Sequence, residues 1–174
     1  MTRVRLAAGI AALLTALALQ AGVIAPLVLP LPVSLPAVLV AAIALSDGPG
    51  AGIAFGFCAG LIADLGSTHP AGVYALAWMT IGMLCGLAAD KTSVRADALI
   101  AAAVCTVGAT ATTIVLTVLS KDGASFHDVA GQFIPTAIGD LVLALILVPI
   151  VRRFLRADVL RAPREPVILL GVDS

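Results

Sequence analysis

Two acids stand inside apolar stretches of this sequence, Asp64 and Asp140, and an acid there has to be accounted for. An ionised carboxylate at the centre of a membrane helix costs roughly 2.5–3.5 kcal/mol on insertion scales. It must meet a donor, meet a cation or hold a proton. Asp64 falls near the end of its stretch, where water or headgroups lower that cost, so Asp64→Ala is expected to be mild. Asp140 lies six residues into its stretch, on the order of 9 Å down at 1.5 Å per residue. Thr106, Thr110, Thr113 and Thr117 follow one another at helical spacing and form one stripe. Thr113 matches Asp140 in depth, so Asp140 is expected to face this stripe near Thr113 and Thr117. The alternative is that the hydroxyls bond their own helix carbonyls while Asp140 faces a water pocket.

The remaining reactive residues are scattered. His69 sits in a turn written Ser67-Thr68-His69-Pro70, and His127 is far along the chain beside Asp128. Two distant histidines without carboxylates in matching positions make no metal site. Cys58, Cys85 and Cys105 all fall in apolar runs and read as small packing residues, not as disulfides or ligands. The sequence offers no nucleophile–base pair and no phosphate loop. No catalytic set, cofactor or metal is expected, and the net charge of zero gives no argument for nucleic acid.

The elements that carry these residues are apolar. Hydrophobic residues make up 61% of the 174 positions and charged residues 11%, against roughly 25% charged in a soluble domain; the mean hydropathy is +1.14. Lipid must therefore replace water around most of the chain. At ~20 residues per span the length allows about six. Six segments can be drawn: Leu6–Ala25, Val33–Ser46, Gly50–Gly66, Ala71–Ala89, Ala98–Leu119 and Ile134–Val151. All should be helices, because an unpaired backbone is not tolerated in lipid. The first follows Arg3 and Arg5 as a signal peptide would, but its length and the spans behind it favour a retained helix. Pro26 to Pro36 reads as a partly embedded connector before a short or tilted second helix. The fold class is thus an all-α polytopic bundle over residues 1–151, with a short basic tail, 152–174.

Charge fixes the orientation. With six spans and an inside amino terminus, the inside segments hold nine basic residues (Arg3, Arg5, Lys91, Arg95, Arg152, Arg153, Arg156, Arg161 and Arg164) and the outside only Lys121. That asymmetry places both termini in the cytoplasm. Arg152, Arg153 and Arg156 are expected to orient the last helix and touch anionic headgroups.

Gly52, Gly56 and Gly60 lie four apart on the third segment, and Gly82 and Gly86 repeat the spacing on the fourth. Such faces let another backbone come close, either inside the bundle or in a partner's membrane helix.

One stretch carries a family resemblance. Gly56-Phe57-Cys58-Ala59-Gly60-Leu61-Ile62-Ala63-Asp64-Leu65 reads G-F-x-x-G-L-x-x-D-L. Ser67, Pro70-Ala71-Gly72, Tyr74-Ala75-Leu76 and Gly82-Met83-Leu84-Cys85-Gly86 follow it. This resembles the rod shape-determining protein MreD family, as do Ile134-Pro135-Thr136-Ala137, Pro149 and the basic ending. The resemblance implies a non-enzymatic membrane component of the bacterial cell-elongation and peptidoglycan-synthesis machinery in the cytoplasmic membrane. It implies MreC as a partner, working with the MreB filament, the RodA glycosyltransferase and a class B penicillin-binding transpeptidase. Phe57, Asp64, Pro70 and Gly72 match family positions and take a structural role at the outer end of the helix pair. Asp140 stands where a neutral residue such as Asn is expected, so no family role passes to it.

Two other function classes fit the layout. A substrate-binding membrane subunit of an energy-coupling factor vitamin transporter also uses about six short helices, and Ala8, Ala12 and Ala16 give the first helix a small-residue face. A small intramembrane hydrolase or transferase is the third.

Overall fold

The computed structural model describes residues 3–24, 34–67, 71–89, 93–120 and 126–156. Pro26, Pro30, Pro32, Thr68, His69, Pro70, Lys91, Lys121 and the tail beyond Arg156 lie outside these residues. The described residues are almost wholly helical. α1 (Arg3–Leu19) runs into a π-turn (Gln20–Ile24), followed by α2 (Leu35–Asp47), α3 (Pro49–Leu65), α4 (Val73–Ala88), α5 (Val94–Ser120) and α6 (Phe126–Arg156). Val4–Ile24, Val94–Val118 and Ala130–Phe154 are long and apolar enough to cross a membrane, whereas α2, α3 and α4 are shorter apolar helices.

The short α2 is the centre of the bundle. It packs against all five other helices, and every residue from Pro36 to Leu45 is buried. Pro36 belongs to its first turn, not to the connector before it. Proline is tolerated there because the missing N–H has no helical partner. The Leu35 amide donates to Gln20 Oε1 at 3.0 Å, so the π-turn caps the start of α2. Its end turns on Gly48, whose φ of 92° suits glycine. The Gly48 amide reaches back to the Ala44 carbonyl at 2.8 Å, and Pro49 opens α3 at once.

α3 and α4 form an antiparallel hairpin, and α5 and α6 a longer one. Ser93 Oγ accepts from the Ala96 amide at 3.2 Å and caps α5. α6 begins at Phe126, eight residues ahead of the Ile134 expected from hydropathy. The polar run Phe126–Gln132 hid that start, and the backbone of His127 lies in this first part. The core is built mainly from alanine, with valine, leucine, isoleucine, Cys85, Cys105 and two large rings, Phe55 and Trp78, while Leu65, Leu76, Leu87, Val107 and Ile134 stand exposed. An apolar exterior of this kind suits lipid, not water.

Candidate functional site

The α3–α4 seam is the tightest contact in the bundle. A methyl group at Gly52 would overlap the Gly82 carbonyl, one at Gly56 the Trp78 carbonyl, and one at Gly60 the backbone of Tyr74 and Ala75. Each would come closer than the 3.0 Å that real Cβ atoms keep. Gly86 is used differently: it admits the Gly48–Pro49 turn between α2 and α3. The glycine faces of α3 and α4 are therefore filled from within the bundle. Phe57 points outward from α3 and is exposed, as is Cys58 beside it. Cys58 is thus not a packing residue, whereas Cys85 and Cys105 are buried.

Asp64 closes the far end of the seam. It is 4% exposed. Its Oδ2 accepts from the amides of Gly72 at 2.9 Å and Ala75 at 3.0 Å, and its Oδ1 accepts from Tyr74 at 3.1 Å. The carboxylate thus caps α4 from α3, satisfying donors that begin a helix without partners and meeting the positive end of its dipole. Gly72 makes the approach possible with a φ of 102°. The expectation of a shallow, solvated Asp64 is corrected: the group is buried and accepts three hydrogen bonds.

Asp140 is 1% exposed. The Thr106 hydroxyl donates to its Oδ2 at 3.2 Å, and the Ser34 amide donates to the same carboxylate. The partner is Thr106 and not Thr113. The reason is the early start of α6: Asp140 stands fourteen residues from Phe126, as Thr106 stands fourteen from Ser120. Thr110, Thr113 and Thr117 donate to the carbonyls of Thr106, Ala109 and Thr113 on their own helix. Asp140 and Thr113 nonetheless border one cavity of about 370 Å³, together with Trp78, Tyr74 and Gln20; Thr117 does not line it.

The opposite end of the bundle carries two charge pairs whose acids, Asp97 and Asp47, the sequence did not single out. Arg152 pairs with Asp97 at 2.8 Å, with side chains 6% and 0% exposed. Arg5 pairs with Asp47 at 3.2 Å. Both arginines border a cavity of about 530 Å³ beside the Gly48–Pro49 turn. Arg152 is therefore a buried structural cation and not a headgroup contact. Arg153 is exposed, and the side chain of Arg156 lies outside the described residues. The available signal was positional: Asp97 opens α5 where Arg152 closes α6, and antiparallel neighbours bring such positions together.

A groove of about 590 Å³ remains open on the outside of α4 and α5. Its walls are apolar, with Leu76 and Val107 exposed, and its lining includes the small residues Ala77, Ala103 and Ala111. No three His, Cys, Asp or Glu side chains gather to hold a metal among the described residues.

The family model for rod shape-determining protein MreD matches residues 3–157, which takes in every helix above. The chain belongs to the MreD family. No curated protein and no solved structure matches it. Membership gives the chain a role in rod shape determination and favours that reading over a vitamin-transport subunit. The MreD family is one of shape-determining membrane proteins and is not known as an enzyme family. Seen as an MreD, the chain places its G-F-x-x-G-L-x-x-D-L stretch at the seam: the glycines admit α4 and the aspartate caps it.

Proposed function

We propose that this MreD-family chain is a non-enzymatic membrane scaffold of the cell-elongation complex, and that its α4–α5 groove receives the membrane helix of MreC. Through MreC it connects to the MreB filament, to RodA and to a class B penicillin-binding transpeptidase. The groove carries this reading. It is almost wholly apolar, open, and lined by the small residues Ala77, Ala103 and Ala111, the kind of residue that lets helix backbones approach in lipid. The α3–α4 seam behind it is closed by backbone-to-backbone packing, so the groove has a stiff wall.

All six helices span the bacterial cytoplasmic membrane as one domain over residues 1–151, with both termini and the basic tail 152–174 in the cytoplasm. The distribution of nine basic residues to one supports this orientation. The 13 residues of α2 reach only about 20 Å, short of the ~30 Å hydrocarbon layer. Protein surrounds α2 on all sides, so lipid does not set its length. The slightly longer α3 and α4 are accommodated by local thinning.

Site-directed crosslinking tests the assignment. In a Cys58→Ala background, cysteine at Val107 or Leu76 should crosslink to cysteines along the MreC membrane helix. Cysteine at Ile146, which is exposed on α6, should not. Equal crosslinking at all three positions, or none at Val107 and Leu76, would overturn the groove assignment.

A further inference from the structure

The geometry points to a binding site for an organic ammonium group in the cavity bordered by Asp140 and Trp78. Every helix contributes to its wall, α1 through Gln20 of the π-turn, α2 through Ala37 and α3 through Ala63. At about 370 Å³ it lies near the lower end of the range for small-molecule pockets, about 300–1,000 Å³. The scaffold reading neither requires this site nor depends on it.

Asp140 is the reason to expect a cation. It is 1% exposed and carries two hydrogen-bond donors. Among the described residues it has no Lys, Arg or His within salt-bridge distance, unlike Asp47 and Asp97. A buried carboxylate without a counter-charge is costly, and in a membrane such a group marks a site of function. Tyr74 and Trp78 stand on the same cavity with ring centroids 5.7 Å apart and planes inclined by 46°. Aromatic faces beside a carboxylate favour alkylated ammonium groups through cation–π attraction. A bare metal ion is a poor fit. Calcium takes six to eight oxygens, whereas most of this wall is apolar, through Ala37, Ala63, Trp78, Ile81, Ala109 and Leu116. The ammonium could belong to a free amine or to a lipid headgroup entering from the leaflet on that side.

Trp78 is the single tryptophan of the chain, so its fluorescence reads this cavity alone. Purified full-length protein in detergent is titrated with choline and, separately, with 3,3-dimethylbutan-1-ol, which has the same shape with carbon in place of nitrogen. A saturable change in Trp78 emission is expected for choline, at least about tenfold tighter than for the neutral alcohol. Asp140→Asn, which keeps acceptors for Thr106 and Ser34, should weaken choline by about tenfold as well. Ala109→Leu, which fills the cavity while leaving the carboxylate in place, should abolish the response. Equal responses to both compounds, no saturable response in the wild type, or an unchanged Asp140→Asn would overturn the site. Nanodiscs separate the two sources. A choline response seen with phosphatidylglycerol alone, and occluded when phosphatidylethanolamine is added, assigns the site to a headgroup. A response indifferent to lipid assigns it to a free amine.

Discussion

Arg152 of α6 and Asp97 of α5 meet at 2.8 Å, with both side chains almost wholly withdrawn from solvent. The two long helices are thereby locked at one end by charge, as Thr106 and Asp140 join them lower down. Removing one partner strands the other. Asp97→Ala or Arg152→Ala should each destabilise the protein by about 3–5 kcal/mol. The double replacement Asp97→Leu/Arg152→Met should recover most of that loss, because an apolar pair leaves no buried charge. Unfolding by steric trapping in bicelles measures all three; additive losses in the double variant would refute the pairing.

The α4 cap predicts a large effect at a residue near a helix end. Asp64→Ala leaves three amide donors without acceptors at a buried position. A lost cap alone is worth ~0.5–2 kcal/mol and each stranded donor ~1–3, so a total of about 3 kcal/mol is expected. Asp64→Asn keeps one carbonyl acceptor and should fall between Ala and wild type. Thermal unfolding in detergent checks the order.

Glycines in the seam should behave unlike glycines outside it. Gly56→Ala meets the Trp78 backbone, whereas Gly50→Ala meets nothing within 4 Å. The first should cost about 1–3 kcal/mol, as overpacking does. The second should be neutral or stabilise by about 0.5–1 kcal/mol, since alanine is the better helix former. Similar unfolding temperatures for the two variants would contradict the seam.

Double-mutant cycles between Asp140 and the threonines should single out one of them. Asp140→Ala with Thr106→Val should show coupling of about 0.6–1.7 kcal/mol, the range found for hydrogen bonds between membrane helices. The same cycle with Thr113→Val should be additive within about 0.5 kcal/mol.

The distinction between Thr106 and Thr113 shows where sequence reading stops. The apolar segments were legible because each helix is apolar nearly throughout, and the four-residue glycine spacing was visible because it is local. The start of α6 was not, because Phe126–Gln132 is too polar for hydropathy to mark as helix. That error of eight residues moved Asp140 toward the membrane surface and matched it to the wrong threonine. Asp64 looked shallow because its depth was counted along α3 alone, while its burial comes from the α4 turn folding over it. Arg152 read as a headgroup contact because its partner, Asp97, is distant in sequence, and hydropathy says nothing about which charges meet. Within the candidate site, the residue types were visible beforehand and their pairings were not.

Co-purification of MreC with groove and seam variants tests the central claim most directly. Ala111→Trp fills the α4–α5 groove from an exposed position without entering the seam. It should abolish recovery of MreC while leaving the unfolding temperature of the isolated chain within a few degrees of wild type. If Ala111→Trp retained MreC at wild-type yield, the groove would not be the docking surface and the scaffold geometry built on it would be wrong.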